Sequence, residues 1–257
     1  MREVAKAAAD SGKVYMFARQ QRFKRSALHA RRLVKDGVLG RVYHGESKWL
    51  RARGIAFRNG WGVNKAAGGG VLLDLGVHSI DAAWFVMGCP RPVSVLAAAH
   101  CAFSRFAPPD LTMPYDAEDS VFALIRFEDG ASLVIADSFA LNAEAPPGAD
   151  DGTRPFPDWT ELRIFGDLKG MDVKACRLID NSGERLEVVE TDPWEGYAGD
   201  RENYLPMNVQ MEEFARAIVE NDAPMNTAEQ ALYLMEMLDA IKESAETGRS
   251  VQLGGRG

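Results

Sequence analysis

Residues 68–88 read GGGVLLDLGVHSIDAAWFVMG and are the most informative part of the chain. Apolar residues recur there at three- and four-residue steps, which predicts an amphipathic helix over residues 72–87. On such a helix Asp74 and His78 lie one turn apart and Asp81 follows three residues later, so all three side chains share one face. Because a carboxylate can orient an imidazole and tune its pKa, this face is a candidate acid–base site.

The same residues allow three other interpretations. Asp74 can act only as a partner of the helix dipole, and His78 only as its ion-pair mate. The glycine triplet 68–70 can admit a phosphate, although no G-x-x-x-x-G-K-[ST] motif is present. Asp74, His78 and Asp81 can also ligate a metal ion in a hydrolase or isomerase. Because no second histidine cluster accompanies them, we expect no metal site.

Composition and charge indicate an ordinary globular protein. The chain has 257 residues, of which 46% are hydrophobic and 26% are charged, so it can bury a large core. Its 30 basic and 37 acidic residues give a net charge of -7, which argues against nucleic acid or an anionic membrane as a partner. No run of 18 apolar residues predicts a membrane span, and the charged first ten residues are unlike a signal peptide.

The three cysteines are far apart and form no C-x-x-C motif, which indicates reduced thiols. We therefore expect a cytoplasmic protein.

Local patterns predict an α+β fold. The chain opens with the end of a helix and a short buried strand over residues 14–18. Ser26 is the predicted N-cap of the next helix, and Thr227 that of the last one. A mobile loop is expected over 141–158. The predicted strands and later helices are 41–51, 93–103, 119–127, 131–139, 161–165, 171–180, 185–190, 207–220 and 228–247.

Residues 68–88 resemble the signature of the Gfo/Idh/MocA family, GG-x-L-x-D-x-G-x-H-x-x-D followed by an apolar helix. Further matching segments follow in the family's order: 21–23, 36–40, Trp61, 164–170 and 240–249. The resemblance covers nearly the whole chain. It implies a large, mostly antiparallel sheet covered on one face by helices, with residues 19–257 as the substrate-binding and oligomerisation domain. Residues 1–18 are similar to the end of the family's N-terminal Rossmann domain.

The resemblance also implies a function. Members are NAD(P)-dependent oxidoreductases that pass a hydride between a nicotinamide and a sugar, cyclitol or related hydroxy or keto compound. It assigns His78 to the reacting hydroxyl, and Asp74 to orienting His78 or binding a neighbouring hydroxyl. It further implies a homo-oligomer joined through the open face of the sheet. The implied ligand contacts are Gln21, Trp61, Lys65 and Asp81 for the substrate, and Gln20 and Arg22 for the cofactor.

Two family motifs are missing. The 257 residues contain no G-x-G-x-x-G and no Glu-Lys-Pro, the motifs for dinucleotide binding and proton transfer. We therefore expect a truncated form that binds neither NAD nor NADP alone, whereas the complete enzyme takes one of them. Lys65 is interpreted as a loop or substrate-contacting lysine and not as the missing catalytic lysine. The alternative function is a non-catalytic ligand-binding or assembly module derived from the family.

Overall fold

The computed structural model describes residues 1–55, 57–147 and 156–254, and these contain a nine-stranded sheet. Across the sheet the first strand in the chain pairs in parallel with the fourth, and the other neighbouring strands pair antiparallel. The predicted mostly antiparallel sheet is thus confirmed. In chain order the strands are β1 (Val42–Arg51), β2 (Pro92–His100), β3 (Ser120–Phe127), β4 (Ser132–Ser138), β5 (Asp158–Gly166), β6 (Gly170–Asp172), β7 (Arg177–Asp180), β8 (Glu187–Glu190) and β9 (Val251–Gln252), and in space they lie in the order β8-β7-β6-β5-β1-β4-β3-β2-β9.

Helices pack on one face of this sheet. In the described residues they are α1 (Arg2–Ser11), α2 (Arg25–Lys35), α3 (Val77–Met87), α4 (Pro206–Glu220) and α5 (Ala228–Thr247). Helix α3 lies against β1, β4 and β5, and α5 lies against β2. Ile80 and Trp84 of α3 are fully buried in this layer. Burial of a large apolar side chain contributes about 2–3 kcal/mol, so α3 is anchored firmly where it carries His78. The predicted α+β architecture is confirmed.

The start of the helix predicted from residue 72 differs from the expectation. Residues Leu72–Gly76 form a π-helical turn, in which the Val77 amide donates to the Leu72 carbonyl, and the α-helix proper begins at Val77. Gly76 permits this turn, because an added Cβ would lie 3.0 Å from Leu72 Cδ1 and 3.3 Å from Asp137 Oδ2. Since a π-turn holds more residues than an α-turn, Asp74 and His78 do not keep the regular one-turn spacing.

The predicted strand over residues 14–18 is not formed. Helix α1 ends at Gly12 as expected, and the following residues are irregular. A strand needs a neighbouring strand that pairs with its backbone groups. In this segment the backbone of one residue, Phe17, is bonded to Asn226. The Phe17 amide donates to the Asn226 carbonyl at 3.1 Å, and Asn226 Nδ2 donates to the Phe17 carbonyl at 2.8 Å. The division into residues 1–18 and 19–257 stays a prediction.

Smaller differences concern element ends. Ser26 does not cap α2, because the preceding 3₁₀ turn places Lys24 at the N-cap, without a side-chain hydrogen bond. The predicted strand 171–180 is divided into β6 and β7 by a turn in which Cys176 adopts a φ of 53°. Thr227 caps α5 as predicted, since its Oγ1 accepts the Gln230 amide at 3.2 Å. The predicted loop 141–158 falls partly outside the described residues.

No helix in the described part of the chain is both long and apolar enough to cross a membrane.

Candidate active site

A cavity of about 110 Å³ opens between α2, α3 and the strands β1 and β5. His78 enters it from the first turn of α3, and Gln21 from the 3₁₀ turn before α2. Trp49 of β1 lines the wall, with its ring centroid 6.4 Å from that of His78 and the ring planes tilted by 50°. Of the residues predicted to form the site, the structure brings Gln21 and His78 together in this cavity.

The His78 imidazole is half-buried, and its pKa lies below the ordinary value. Burial lowers its pKa, the positive charge of Arg19 lowers it further, and Asp81 and Asp74 act in the opposite direction. Its Nδ1 atom is buried and has no hydrogen-bond partner among the described groups. A neutral imidazole can accept a proton from a hydroxyl or donate one to a carbonyl oxygen, so the ring is suited to acid–base chemistry.

A polar network lies behind His78. Ser47 and Ser79 both line the cavity, and their hydroxyl groups form a hydrogen bond with 2.8 Å between the oxygens. Asp137 of β4 lies next to this pair, and its Oδ1 accepts the Trp49 amide at 3.1 Å. Asp137 is fully buried and its Oδ2 has no partner among the described groups, so burial raises its pKa to about 7. Sequence reasoning missed this residue, although the alternation of β4 places it in the inward series.

Arg22 and Asp81 form an ion pair inside the protein. Arg22 Nη2 lies 2.6 Å from Asp81 Oδ1 and Arg22 Nε 2.9 Å from Oδ2, and the two side chains are 1% and 0% exposed. Burial alone would lower the pKa of Arg22, but the Asp81 carboxylate raises it. Arg22 Nη1 also donates to Gln230 Oε1 at 2.5 Å. This placement favours a structural role for both residues over the ligand contacts that the family resemblance implies for them.

Four other predicted residues lie outside the lining of this cavity. Lys65 Nζ forms an exposed ion pair with Glu246 of α5 at 2.6 Å, beside a second cavity of the molecule. Trp61 lies in the 3₁₀ turn Arg58–Val63 and is 41% exposed. Gln20 precedes Gln21 in its turn and is half-buried. Asp74 acts electrostatically on His78, and its amide donates to the Gly70 carbonyl.

The glycine triplet packs against the protein itself. A Cβ on Gly69 would lie 2.3 Å from the Trp61 carbonyl oxygen, and one on Gly70 would lie 2.2 Å from Glu118 Oε1. Glu118 also accepts the Leu72 amide at 3.3 Å, so a carboxylate already occupies the start of the helix. This placement argues against phosphate binding by the triplet, because a second anion would be repelled by an ionised Glu118.

Three lysines that sequence reasoning did not single out line the cavity: Lys24, Lys48 and Lys174. Lys24 lies at the N-terminus of α2, and Lys174 lies in the turn between β6 and β7. Burial lowers the pKa of Lys24, and the charge of Lys174 lowers it further. No local sequence pattern identifies Lys24 and Lys174 as neighbours, since they are 150 positions apart. Among the described residues, no group of three or more His, Cys, Asp or Glu side chains is arranged to hold a metal ion.

Comparison with known proteins agrees with this architecture. D-glucoside 3-dehydrogenase of Escherichia coli (strain K12) is 29% identical over 265 residues, which span 98% of this chain and 68% of that protein. The solved aldose-aldose oxidoreductase from Caulobacter crescentus, complexed with glycerol, matches with a TM-score of 0.70 and 22% identity, over 96% of this chain and 66% of that one. A levoglucosan dehydrogenase in complex with NADH and levoglucosan matches with a TM-score of 0.75 and 21% identity, over 96% and 68%.

This chain thus spans about two thirds of the length of these relatives. The family model described as the GFO/IDH/MocA C-terminal domain matches residues 27–169, which is more than half of the chain and includes α2, α3, β1 to β4 and most of the cavity wall. The chain belongs to the Gfo/Idh/MocA family.

Proposed function

We propose that this chain is the substrate-binding part of an NAD(P)-dependent oxidoreductase that acts on a sugar, a cyclitol or a related polyol. The observation that carries the proposal is the placement of His78 in one cavity with Gln21 and Trp49. Family membership and relatives named as glucoside and levoglucosan dehydrogenases support this class of substrate.

Each lining residue has a chemical task in this proposal. His78 takes the proton of the reacting hydroxyl during oxidation and returns it during reduction. Gln21 supplies an amide that can both donate to and accept from a neighbouring hydroxyl. The Trp49 ring offers an apolar face against which the carbon face of a sugar ring can pack. The Ser47–Ser79 pair holds the start of α3 against β1 and so keeps His78 in place.

The described residues do not fit a nicotinamide dinucleotide. Residues 13–19 form no strand that leads through a glycine-rich turn into a helix, and Glu118 covers the glycine triplet. When bound in a complete enzyme, NAD or NADP would exchange the hydride. We assign no residue of this chain to that group.

Replacement of His78 by Ala tests the proposal. We expect sugar or polyol oxidation by the complete enzyme, with NAD or NADP supplied, to fall by about 100-fold, since a positioned acid–base group contributes about 10²–10⁴ in rate. The measurement is the initial rate of nicotinamide reduction over a panel of glucosides and cyclitols. The matched control is His100→Ala, because His100 is exposed at the end of β2 and should leave the rate unchanged.

A binding measurement separates this proposal from the alternative of a non-catalytic module. The perturbation of the His78 ring nitrogens by the same compounds is followed by NMR on this chain. Binding accompanied by His78-dependent turnover supports the oxidoreductase. Binding without turnover under any cofactor supports the ligand-binding module, and unchanged turnover in His78→Ala contradicts the role given to His78.

We further propose that copies of this chain associate through the helix-free face of the sheet. Apolar side chains of neighbouring strands are exposed there: Leu96 of β2, Phe122 and Leu124 of β3, and Val134 of β4. An apolar patch of this kind is typical of an interaction surface.

The double substitution Phe122→Glu, Leu124→Lys is expected to convert the oligomer into a monomer, because it places charges in the centre of the buried patch. Sedimentation velocity of both proteins checks this. Leu186→Lys, which changes an exposed leucine outside the patch, is the control and should keep the oligomer. A wild-type chain that sediments as a 28.2 kDa monomer at high concentration contradicts the proposal.

A further inference from the structure

The cavity that holds His78 carries an excess of positive charge. Its charged lining residues are Lys24, Lys48, Lys174 and Glu161. Lys48 and Glu161 neutralise each other through an ion pair of 3.2 Å between neighbouring strands. Lys24 and Lys174 form no ion pair with any described carboxylate. Within the described part of the chain, no carboxylate therefore neutralises these two lysines at the cavity that holds His78.

The neighbouring acidic groups are already engaged elsewhere. Asp172, at the end of β6, accepts the Ala175 amide at 3.0 Å and so closes the turn that carries Lys174. Asp81, close to His78, is paired with the guanidinium of Arg22. Neither carboxylate forms an ion pair with the two lysines.

The positive field extends to His78 itself. Besides burial, Arg19 and Lys24 both lower the pKa of His78, so their charges lie within reach of its ring. The guanidinium of Arg19 lies 4.2 Å from the centroid of the Phe17 ring, and its buried Nε has no hydrogen-bond partner among the described groups. Cations therefore approach the site from the segment before α2 as well as from the turn between β6 and β7.

Lys24 and Lys174 are both exposed where they line the cavity. Desolvation lowers the pKa of Lys24 and the charge of Lys174 lowers it further, so the two ammonium groups repel each other. An anionic group placed between the two ammonium groups would relieve both effects and form charge-assisted hydrogen bonds. A neutral sugar would leave them unrelieved.

We propose that the substrate carries an anionic substituent, a carboxylate or a phosphate, that Lys24 and Lys174 hold while its reacting hydroxyl faces His78. The inference rests on the proposed function and narrows its substrate class to acidic sugars or acidic polyols. Lys24 and Lys174 act as binding and specificity residues, and no chemical step is assigned to them.

Calorimetric titration of this chain at low ionic strength tests the inference with three probes of one ring size: glucose, glucuronate and glucose 6-phosphate. We expect at least one acidic probe to bind about ten times more tightly than glucose, as a hydrogen bond to a charged group contributes about 1.4 kcal/mol or more. The stronger acidic probe identifies carboxylate or phosphate as the preferred group. Added salt should weaken the acidic probe and leave glucose unaffected.

Variants assign the effect to the two lysines. Lys24→Gln and Lys174→Gln are each expected to remove most of the preference for the acidic probe while the affinity for glucose stays unchanged. Lys35→Gln is the matched control, because Lys35 is an exposed lysine in the last turn of the same helix α2. Circular dichroism confirms that each variant is folded.

The outcomes separate the two proposals. If glucose binds as tightly as both acids, the anionic substituent is refuted and the proposed function stands. If inorganic phosphate binds as tightly as glucose 6-phosphate, the lysines form an anion site that is independent of a sugar, and the inference is again overturned. If none of the probes and none of the neutral cyclitols binds, both proposals fail together.

Discussion

The substitution Asp81→Asn is expected to lower the free energy of unfolding by about 3–5 kcal/mol, because it leaves the Arg22 guanidinium buried without a counter-charge. Arg22 and Asp81 are 1% and 0% exposed, so water cannot replace the lost carboxylate. Arg22 also connects the turn Gln20–Phe23 to Gln230 of α5 and lies over the Trp84 ring of α3. Its displacement would loosen three elements at once.

Urea unfolding followed by tryptophan fluorescence measures this effect, and the buried Trp84 beside Arg22 contributes to the signal of the five tryptophans. Asp10→Asn is the control, because Asp10 forms an exposed ion pair with Lys6 within α1. That substitution should change the free energy of unfolding by at most about 0.5 kcal/mol. A loss below about 1 kcal/mol in Asp81→Asn would show that the buried pair contributes little, and the structural role given to it would have to be withdrawn.

Much of the fold is readable from local sequence patterns. The alternation on both sides of Asp129-Gly130 predicts the hairpin of β3 and β4, and the structure pairs these strands with Ser120 opposite Ser138. Three- and four-residue periodicity predicts α3 and α5, because one or more faces of each helix are buried. In these cases the deciding interaction lies within about ten residues of the signal, so a local pattern is sufficient.

The parts that local patterns miss are set by distant residues. The parallel pairing of β1 with β4 joins His44 to Ser132, and no alternation within β1 specifies that partner. The π-helical turn at Leu72–Gly76 depends on the approach of Asp137 to Gly76, which lie on different elements. The sequence of residues 72–76 alone favours a regular α-helix, and such a helix would place Asp74 on the same face as His78.

The candidate site divides in the same way. His78 and Gln21 are found in one cavity, as the family motif implies, because the motif contains their positions. Arg22 and Asp81 are 59 positions apart in the sequence, so only the structure shows that they pair with each other. Their mutual burial favours a structural role over the ligand contacts that the resemblance implies. Lys24 and Lys174 belong to no sequence motif, so the positive charge of the cavity is recognised from the structure and not from residue spacing in the sequence.

Asp137 predicts that stability depends on pH in a direction unusual for a carboxyl group. Burial raises its pKa in the folded protein to about 7, whereas in the unfolded chain it keeps the ordinary value of 3.8. The folded state therefore holds a proton that the unfolded state has already lost. The contribution of Asp137 to stability is highest below the unfolded pKa and declines as pH rises toward 7, by about 4 kcal/mol in total.

The substitution Asp137→Asn removes this decline, because an uncharged amide of the same shape keeps the acceptor for the Trp49 amide. Relative to wild type, the variant should gain stability steadily between about pH 5 and pH 7 and level off above. Urea unfolding of both proteins across this range measures the difference. His29 and His78 have lowered pKa values and give both proteins an opposite trend, a loss of stability as pH falls, which cancels in the subtraction.

Asp129→Asn serves as the control, because Asp129 lies in the exposed turn of the hairpin and should show the pH dependence of wild type. If Asp137→Asn also follows wild type at every pH, Asp137 is ionised in the folded protein and must have a partner that compensates its charge. The consequence reaches the site, since Asp137 lies behind Ser79 and against Gly76. The charge that appears there as pH rises through about 7 would strain the turn that positions His78, so catalysis should weaken near pH 7, where the decline of the Asp137 contribution to stability ends.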